Sequence, residues 1–182
     1  MIELLEKSVV FLTPDNIEQV LAECTWLDTA WDLASLYLIS LGLEGFEEGP
    51  DIVGLSEETT CYVSLLYFTN RTRFSDFVVH EAAHIFHNWK REYAGLPHTR
   101  TKEWLLPIDY FKRETFAWGC EVYSRIRELG RTRKDREVLL REFAAERQLV
   151  DELVDLGELV SILEEAVRAR NGWGRILGWC AG

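Results

Sequence analysis

The sequence predicts an α+β fold that is mostly helical, with a small sheet of about two to four strands. Residues 59–68 are rich in β-branched and aromatic side chains, as strands are. The largely apolar run from Phe77 to Phe86 predicts a helix over about residues 76–93, and from residue 153 onward apolar residues recur at steps of three and four. The length of 182 residues favours one domain spanning 1–182.

The first part of the chain is expected to hold two helices and the strands. Residues 13–15 mark a helix start, because proline is favoured at the first helical position. Residues 26–42 are rich in Trp, Leu and Ala and predict a second helix. Residues 59–68 then form a strand, which residues 8–12 or 51–53 could join.

The run His80-Glu81-Ala82-Ala83-His84 carries most of the functional information. It is an H-E-x-x-H pattern on a helix predicted over about 76–93, with Ser75 as the expected N-cap. Histidines four residues apart share one side of a helix, about 5–6 Å apart along its axis, so both can bind one zinc ion. Glu81 is placed to take a proton from a zinc-bound water. The alternative is that both histidines are ordinary polar groups at a core edge.

A later helix, predicted over about 108–129, brings further candidates. Tyr110, Glu114 and Glu121 fall on one of its faces. Two carboxylates on the apolar side of a core helix need a metal or paired partners. Either glutamate could be the third ligand. If Glu121 is not, it could accept a hydrogen bond from a ligand histidine.

These residues resemble the zincins, zinc-dependent metallopeptidases, and in particular the gluzincin pattern of small bacterial ImmA/IrrE-type members. The resemblance rests on residues 79–86 and 114–117 and covers about residues 60–125. His87 and Lys90 stand where the metzincin variant has glycine and histidine, which excludes that branch. The resemblance implies that His80, His84 and Glu114 bind Zn²⁺, with a water in the fourth position.

One position departs from the gluzincin pattern. Many members carry an aspartate four residues after the third ligand, bonded to a ligand histidine, and this chain has Trp118 there. The resemblance also implies an edge strand beside the cleft, which residues 61–68 could supply, although a central strand packed on helices is equally open. Tyr110 and His98 are candidates for stabilising the oxyanion, and His87 for a place at the cleft rim.

The last third of the chain is expected to support the site. Residues 132–170 predict amphipathic helices. Their short apolar seam favours packing within a monomer over a homodimer. The apolar tail from Trp173 to Trp179 is a candidate cover for the cleft.

Charge and composition limit the function classes. The net charge of −11 argues against a nucleic-acid or anionic-membrane binder. No apolar run approaches the ~20 residues that span a bilayer. The absence of a signal-peptide pattern and four scattered cysteines favour a cytoplasmic protein.

The expected activity is hydrolysis of a peptide bond in a restricted protein or peptide substrate, with Glu81 as general base. Two alternatives stay open. One is a catalytically inactive zincin-fold binding or sensing module, and the other is a small-molecule zinc amidohydrolase.

Overall fold

The computed structural model describes residues 7–46, 54–57, 59–69, 72–93, 108–109, 112–146 and 154–181, with the backbone alone at 87–88 and 90–93. These residues form three strands, β1 (Val9–Leu12), β2 (Gly54–Glu57) and β3 (Thr60–Ser64). They also form seven α-helices, α1 (Ile17–Glu23), α2 (Leu27–Ser40), α3 (Phe77–Tyr93), α4 (Arg113–Leu129), α5 (Arg133–Glu146), α6 (Leu156–Arg168) and α7 (Gly172–Cys180). The predicted fold class, a mostly helical α+β arrangement with a small sheet, is confirmed.

The sheet has the order β1-β3-β2. β1 runs parallel to β3, with Val9 opposite Cys61, and β2 runs antiparallel to β3, with Gly54 opposite Val63. Within the described sheet β3 is therefore the central strand, and β2 takes the edge position that residues 61–68 were a candidate for. β3 ends at Ser64, whose hydroxyl accepts a hydrogen bond from the first residues of a 3₁₀ turn at Leu65–Phe68.

The two faces of the sheet pack on different helices, because successive side chains of a strand point to opposite sides. Cys61 and Val63 of β3 pack against Ile85 and Trp89 of α3. On the other face, Tyr62 and Leu55 pack on the cluster made by α1 and α2, which contains Leu12, Ile17, Leu33 and Leu36. The sheet thus separates α3 from the two N-terminal helices.

Both ends of α3 are fixed by polar contacts. Asp76 caps its start, since Oδ1 accepts a hydrogen bond from the Val79 N–H at 3.3 Å. Ser75, the expected cap, instead accepts from the Thr72 N–H at 2.7 Å, so its hydroxyl is used in the turn before the helix. Towards the other end, the buried Trp89 indole donates to Ser8 Oγ at 2.6 Å and to the Thr59 carbonyl at 2.9 Å. These bonds attach α3 to the sheet.

α4 is the centre of the helical part, and most of its residues are buried. It begins at Arg113, later than the predicted 108, and it packs along α3 on one side and on α6 and α7 on the other. The predicted supporting segment 132–170 contains α5 and α6. Among the described residues, no helix combines the length and the apolar character needed to cross a membrane.

The tail helix α7 does not pack where a cleft cover would have to lie. Ile176 contacts α4 at Gly119, where an added Cβ would be 3.1 Å from Ile176 Cγ2. Trp173 packs edge-on against Tyr123 with ring centroids 4.8 Å apart. At 100° per residue, these two α4 positions lie about 140–180° around the helix from Glu114. The expectation that the tail covers the cleft is therefore wrong, because the tail fills the opposite side of α4.

Candidate metal centre

α3 and α4 bring three metal-binding side chains to one point. His80 Nε2 lies 3.6 Å from Glu114 Oε2, and His84 Nε2 lies 3.5 Å from Glu114 Oε1. The two imidazole rings are 5.0 Å apart between centroids. One donor atom of each residue lies within 4.8 Å of the other two. The three residues that the resemblance implied as ligands are thus adjacent in space, although Glu114 is far from the histidines in sequence.

The donor set fits zinc. Tetrahedral zinc with ligands at ~2.0–2.1 Å places neighbouring donor atoms roughly 3.3–3.5 Å apart. Each histidine Nε2 lies near this separation from one oxygen of the Glu114 carboxylate, His80 at 3.6 Å from Oε2 and His84 at 3.5 Å from Oε1. Two imidazoles and one carboxylate are also a ligand set that catalytic zinc sites use, leaving one position for water or substrate.

Glu121 lies behind His80 and takes the role of an acceptor, not of a ligand. Its side chain is completely buried, and Oε2 lies 2.9 Å from His80 Nδ1. Its other oxygen accepts the Asp76 backbone N–H at 2.7 Å. A proton on Nδ1 directs Nε2 of the same ring towards the metal position and fixes the ring orientation. Of the two carboxylates considered for the third ligand, the structure therefore aims Glu114 at the histidine Nε2 atoms.

The carboxylate that bonds to His80 comes seven residues after Glu114, whereas the gluzincin pattern places it four residues after the third ligand. Position i+7 returns to the same helix face after two turns, so Glu121 reaches α3 as well as a residue at i+4 would. Trp118 occupies that i+4 position and packs edge-on against the His80 ring, with centroids 5.4 Å apart and planes at 86°. The tryptophan thus holds the imidazole by packing, while Glu121 holds it by a hydrogen bond.

The same stripe of α4 continues to Arg125. This buried guanidinium donates from Nε to the Arg73 carbonyl at 3.1 Å, in the segment leading into α3, and also pairs with Glu128. Glu114, Glu121 and Arg125 therefore contact α3 or its lead-in along about three turns of α4. This contact fixes the two helices in the register that the ligands require.

The protonation state of His80 and that of Glu114 depend on each other. Burial lowers the pKa of His80, but its hydrogen bonds to Glu114 and Glu121 outweigh this and raise the pKa to about 10. Hydrogen bonds with His80 and His84 hold the pKa of Glu114 well below its usual range. Without a metal, His80 and Glu114 thus form an ion pair at neutral pH. A metal ion must displace the imidazole proton to bind.

Glu81 lies between the histidines and strand β2. Burial raises the pKa of its carboxyl, while His80, His84 and a hydrogen bond from the Ser56 hydroxyl oppose this rise. Gly54 gives it room, because a Cβ there would lie 2.8 Å from Glu81 Cγ and 3.1 Å from Oε1. The carboxylate thus contacts a glycine and a serine two residues apart on the edge strand.

Sequence reasoning missed Gly54 and Ser56, which lie outside every strand predicted from the sequence. Two small residues separated by one, just before an apolar strand, are the signal that could have found them. Tyr110 and His98 lie outside the described residues, as does the side chain of His87. Their proposed places in the cleft remain predictions.

Comparisons with protein-family models, with curated proteins and with solved structures give no match. The case for a metal site in this chain therefore rests on its own geometry. Four side chains carry that geometry, His80, Glu81, His84 and Glu114.

Proposed function

We propose that the protein is a zinc-dependent metallopeptidase that hydrolyses a peptide bond in a restricted protein substrate. The observation that carries the proposal is the meeting of two histidine Nε2 atoms and the Glu114 carboxylate, with the Glu81 carboxylate beside them. A structural zinc site would need four protein ligands, whereas three ligands and an adjacent acid are the arrangement of hydrolytic sites.

His80, His84 and Glu114 would hold the zinc, which when bound acidifies water and polarises a substrate carbonyl. Glu81 accepts the proton of the attacking water and passes it to the leaving amine. Its raised pKa suits both transfers, because a base that must later act as an acid works best with a pKa near the working pH. Ser56 holds one side of this carboxylate through its hydroxyl.

The position of β2 supports a peptide as the substrate. It is one of the two edge strands of the described sheet, with β1 at the other edge, and Glu81 contacts it at Gly54 and Ser56. An extended peptide can add to an edge strand through backbone hydrogen bonds, which would hold a scissile bond next to the general base. A small-molecule amidohydrolase would have no use for such an edge.

The test compares the protein with Glu81→Gln, using Glu146→Gln at an exposed position of α5 as the matched control. Both variants are assayed for zinc content and for cleavage of casein and of proteins in a host lysate. We expect all three proteins to bind one zinc, and Glu81→Gln alone to lose cleavage by several orders of magnitude.

Two outcomes would contradict the proposal. Cleavage that persists in Glu81→Gln would remove the mechanism. A zinc-bound wild-type protein that cleaves nothing in either mixture, yet captures one host protein, would show the binding or sensing module instead.

A further inference from the structure

The start of α2 and the segment after it expose a group of large apolar side chains. Leu27 is 82% exposed, Trp31 48%, Phe46 46% and Trp26 45%. Leu27 and Trp31 are four residues apart and so share one side of the helix. Trp31 and Phe46 stack with ring centroids 4.2 Å apart. We call these four residues the α2 patch. Such clusters on a soluble domain mark interaction sites more often than single exposed apolar residues do.

The stretch of sequence that contains the α2 patch carries charge of one sign only. From Ser8 to Asn70 the sequence has no lysine, arginine or histidine. The same stretch has eleven acidic residues, Asp15, Glu18, Glu23, Asp28, Asp32, Glu44, Glu47, Glu48, Asp51, Glu57 and Glu58. The net charge of the whole chain is −11, so this stretch accounts for all of it, and the rest of the chain is balanced. Asp28 and Asp32 are exposed next to Leu27 and Trp31.

We propose that the α2 patch is a docking surface for a basic segment of another protein, one in which lysine or arginine accompanies aromatic or aliphatic anchors. The exposed tryptophan and leucine would supply the buried centre of the contact, where aromatic anchors contribute most of the binding energy. The surrounding carboxylates would attract the basic segment, accelerate its association and select against acidic partners.

The same charges exclude other occupants. In a symmetric dimer built on this surface, the α2 patch would face its own copy, which would oppose carboxylates to carboxylates. Nucleic acid and anionic lipid would be repelled for the same reason. A basic polypeptide is the occupant whose chemistry complements both the apolar groups and the charge.

The helix that carries the α2 patch also contacts the strand beside the candidate metal centre. Thr29, in the first turns of α2, donates a hydrogen bond from Oγ1 to Glu57 Oε1 of β2 at 3.2 Å. The opposite face of β2 contacts Glu81 through Gly54 and Ser56. At 100° per residue, Thr29 lies about 160–200° around α2 from Leu27 and Trp31. A protein bound to the α2 patch would therefore have both α2 and β2 between it and Glu81. That the bound protein is the substrate rests on the proposed function, whereas the docking itself does not.

The experiment measures binding of a fluorescently labelled synthetic peptide that carries lysine, leucine and tryptophan at helical spacing. A second peptide has glutamate in place of every lysine. The variants are Leu27→Ser with Trp31→Ser, and Asp28→Asn with Asp32→Asn. The matched control is Trp173→Ser, because Trp173 is equally exposed at 43% and also stacks on an aromatic ring, but lies in α7 near Arg170 and Arg175.

We expect the basic peptide to bind the full chain, more weakly at high salt, and the acidic peptide not to bind. The apolar double variant should weaken binding at least about tenfold, and the charge double variant several-fold with a shallower salt dependence. Trp173→Ser should bind as the wild type does. Thermal denaturation of each variant checks that it folds. If the apolar double variant does not fold, the charge double variant still tests the inference.

Three binding results would overturn the inference. They are equal binding of both peptides, no binding of the basic peptide, and a loss of affinity in Trp173→Ser equal to that in the apolar double variant. So would sedimentation showing a dimer that the apolar double variant dissociates. Zinc-dependent cleavage is measured separately in the same preparations. If the peptide fails to bind while Glu81-dependent cleavage persists, the docking surface alone is wrong. If the peptide binds and nothing is cleaved, the proposed function alone is wrong.

Discussion

Glu121 uses its two oxygens for two different partners, the His80 imidazole and the Asp76 backbone N–H. Replacing it by alanine removes both acceptors from a site with no access to water, since the side chain is completely buried. We expect Glu121→Ala to lower zinc affinity by about 10–100-fold, the range found when such partners of ligand histidines are removed. Competition against a chelator of known affinity measures it.

The Glu121→Gln variant separates the effect of Glu121 on the orientation of the His80 ring from its effect on folding. The amide oxygen can accept one of the two hydrogen bonds but not both, so this variant should fold better than alanine and still bind zinc less tightly than wild type. Glu165→Ala, at an exposed position of α6, is the control. Unchanged affinity in both Glu121 variants would show that the His80 ring is held by packing against Trp118 alone.

The protonation of His80 predicts how zinc binding depends on pH. Because its pKa is raised to about 10, His80 is protonated at neutral pH and must lose that proton to bind zinc. Apparent zinc affinity should therefore rise about tenfold per pH unit up to that pKa, with about one proton released from His80. Calorimetric titration in two buffers of different ionisation enthalpy measures the release. No dependence on buffer or pH would contradict it.

The same shift affects the stability of the protein without metal. The folded-state pKa of His80 is above its ordinary value of 6.5, so the protonated form stabilises the fold. This contribution is complete below pH 6.5 and is lost as the pH rises towards 10. The Glu114 contribution has the opposite sign, because a lowered pKa gives stability that is lost as the pH falls. The ion pair therefore stabilises the fold most at intermediate pH.

At the scale of elements, β2 is the strand that contacts Glu81, the proposed general base. We expect Gly54→Ala to lower the catalytic rate while zinc binding stays close to wild type. The new methyl would meet Glu81 Cγ at 2.8 Å and force the carboxylate to shift, whereas the metal ligands lie on α3 and α4. Steady-state kinetics together with zinc content measure the two effects separately.

Gly178→Ala is the matched control for this substitution. It lies in α7, where an added Cβ has no atom within 4 Å apart from its chain neighbours and the backbone of its own helix. It should leave both the rate and the zinc content unchanged. A Gly54→Ala enzyme with full activity would show that Glu81 has room to work in more than one position.

Elements with a strong periodic pattern were predictable from sequence, and those set by tertiary contacts were not. The apolar run around His80 predicted α3, which spans Phe77–Tyr93. The strand after residue 59 was predicted, but its central place depends on pairing with both β1 and β2, which no local pattern specifies. β2 itself is four residues long and contains a glycine and a serine, so it lacks the alternation by which strands are recognised.

Within the candidate site, too, local patterns could be predicted from the sequence and tertiary contacts could not. The spacing of His80 and His84 is local to one helix and could be predicted from the sequence alone. The choice between Glu114 and Glu121 depends on where α4 lies against α3, which spacing along one helix cannot reveal. Both glutamates share a face, and only the packing shows that one meets the Nε2 atoms and the other Nδ1.

At the scale of the whole molecule, α3 joins two hydrophobic clusters. Ile85 and Trp89 belong to the cluster with the sheet, whereas Ala83 belongs to the larger helical cluster with Phe116 and Ala117 of α4. A ligand bound by α3 and α4 together should stabilise the folded state as a whole. Zinc at 100 times its dissociation constant would add about 2.7 kcal/mol by mass action.

We therefore expect zinc at that level to raise the melting temperature by roughly 5–10 °C in a chain of this length. Differential scanning calorimetry with and without zinc measures the change. His80→Ala with His84→Ala should show no rise, because two ligands are gone. A rise of equal size in the double variant would show that the stabilising zinc binds elsewhere.

The division of the candidate ligands between α3 and α4 determines when the metal site can form during synthesis. His80 and His84 precede Glu114 by 34 and 30 positions, and the contact between the two helices unites the clusters described above. During synthesis, a chain emerging from the ribosome can offer zinc only the histidine pair until Glu114 has left the exit tunnel and α4 has docked. Capture of a metal through all three side chains therefore requires α4 to have docked on α3, and the proposed hydrolytic activity cannot precede that step.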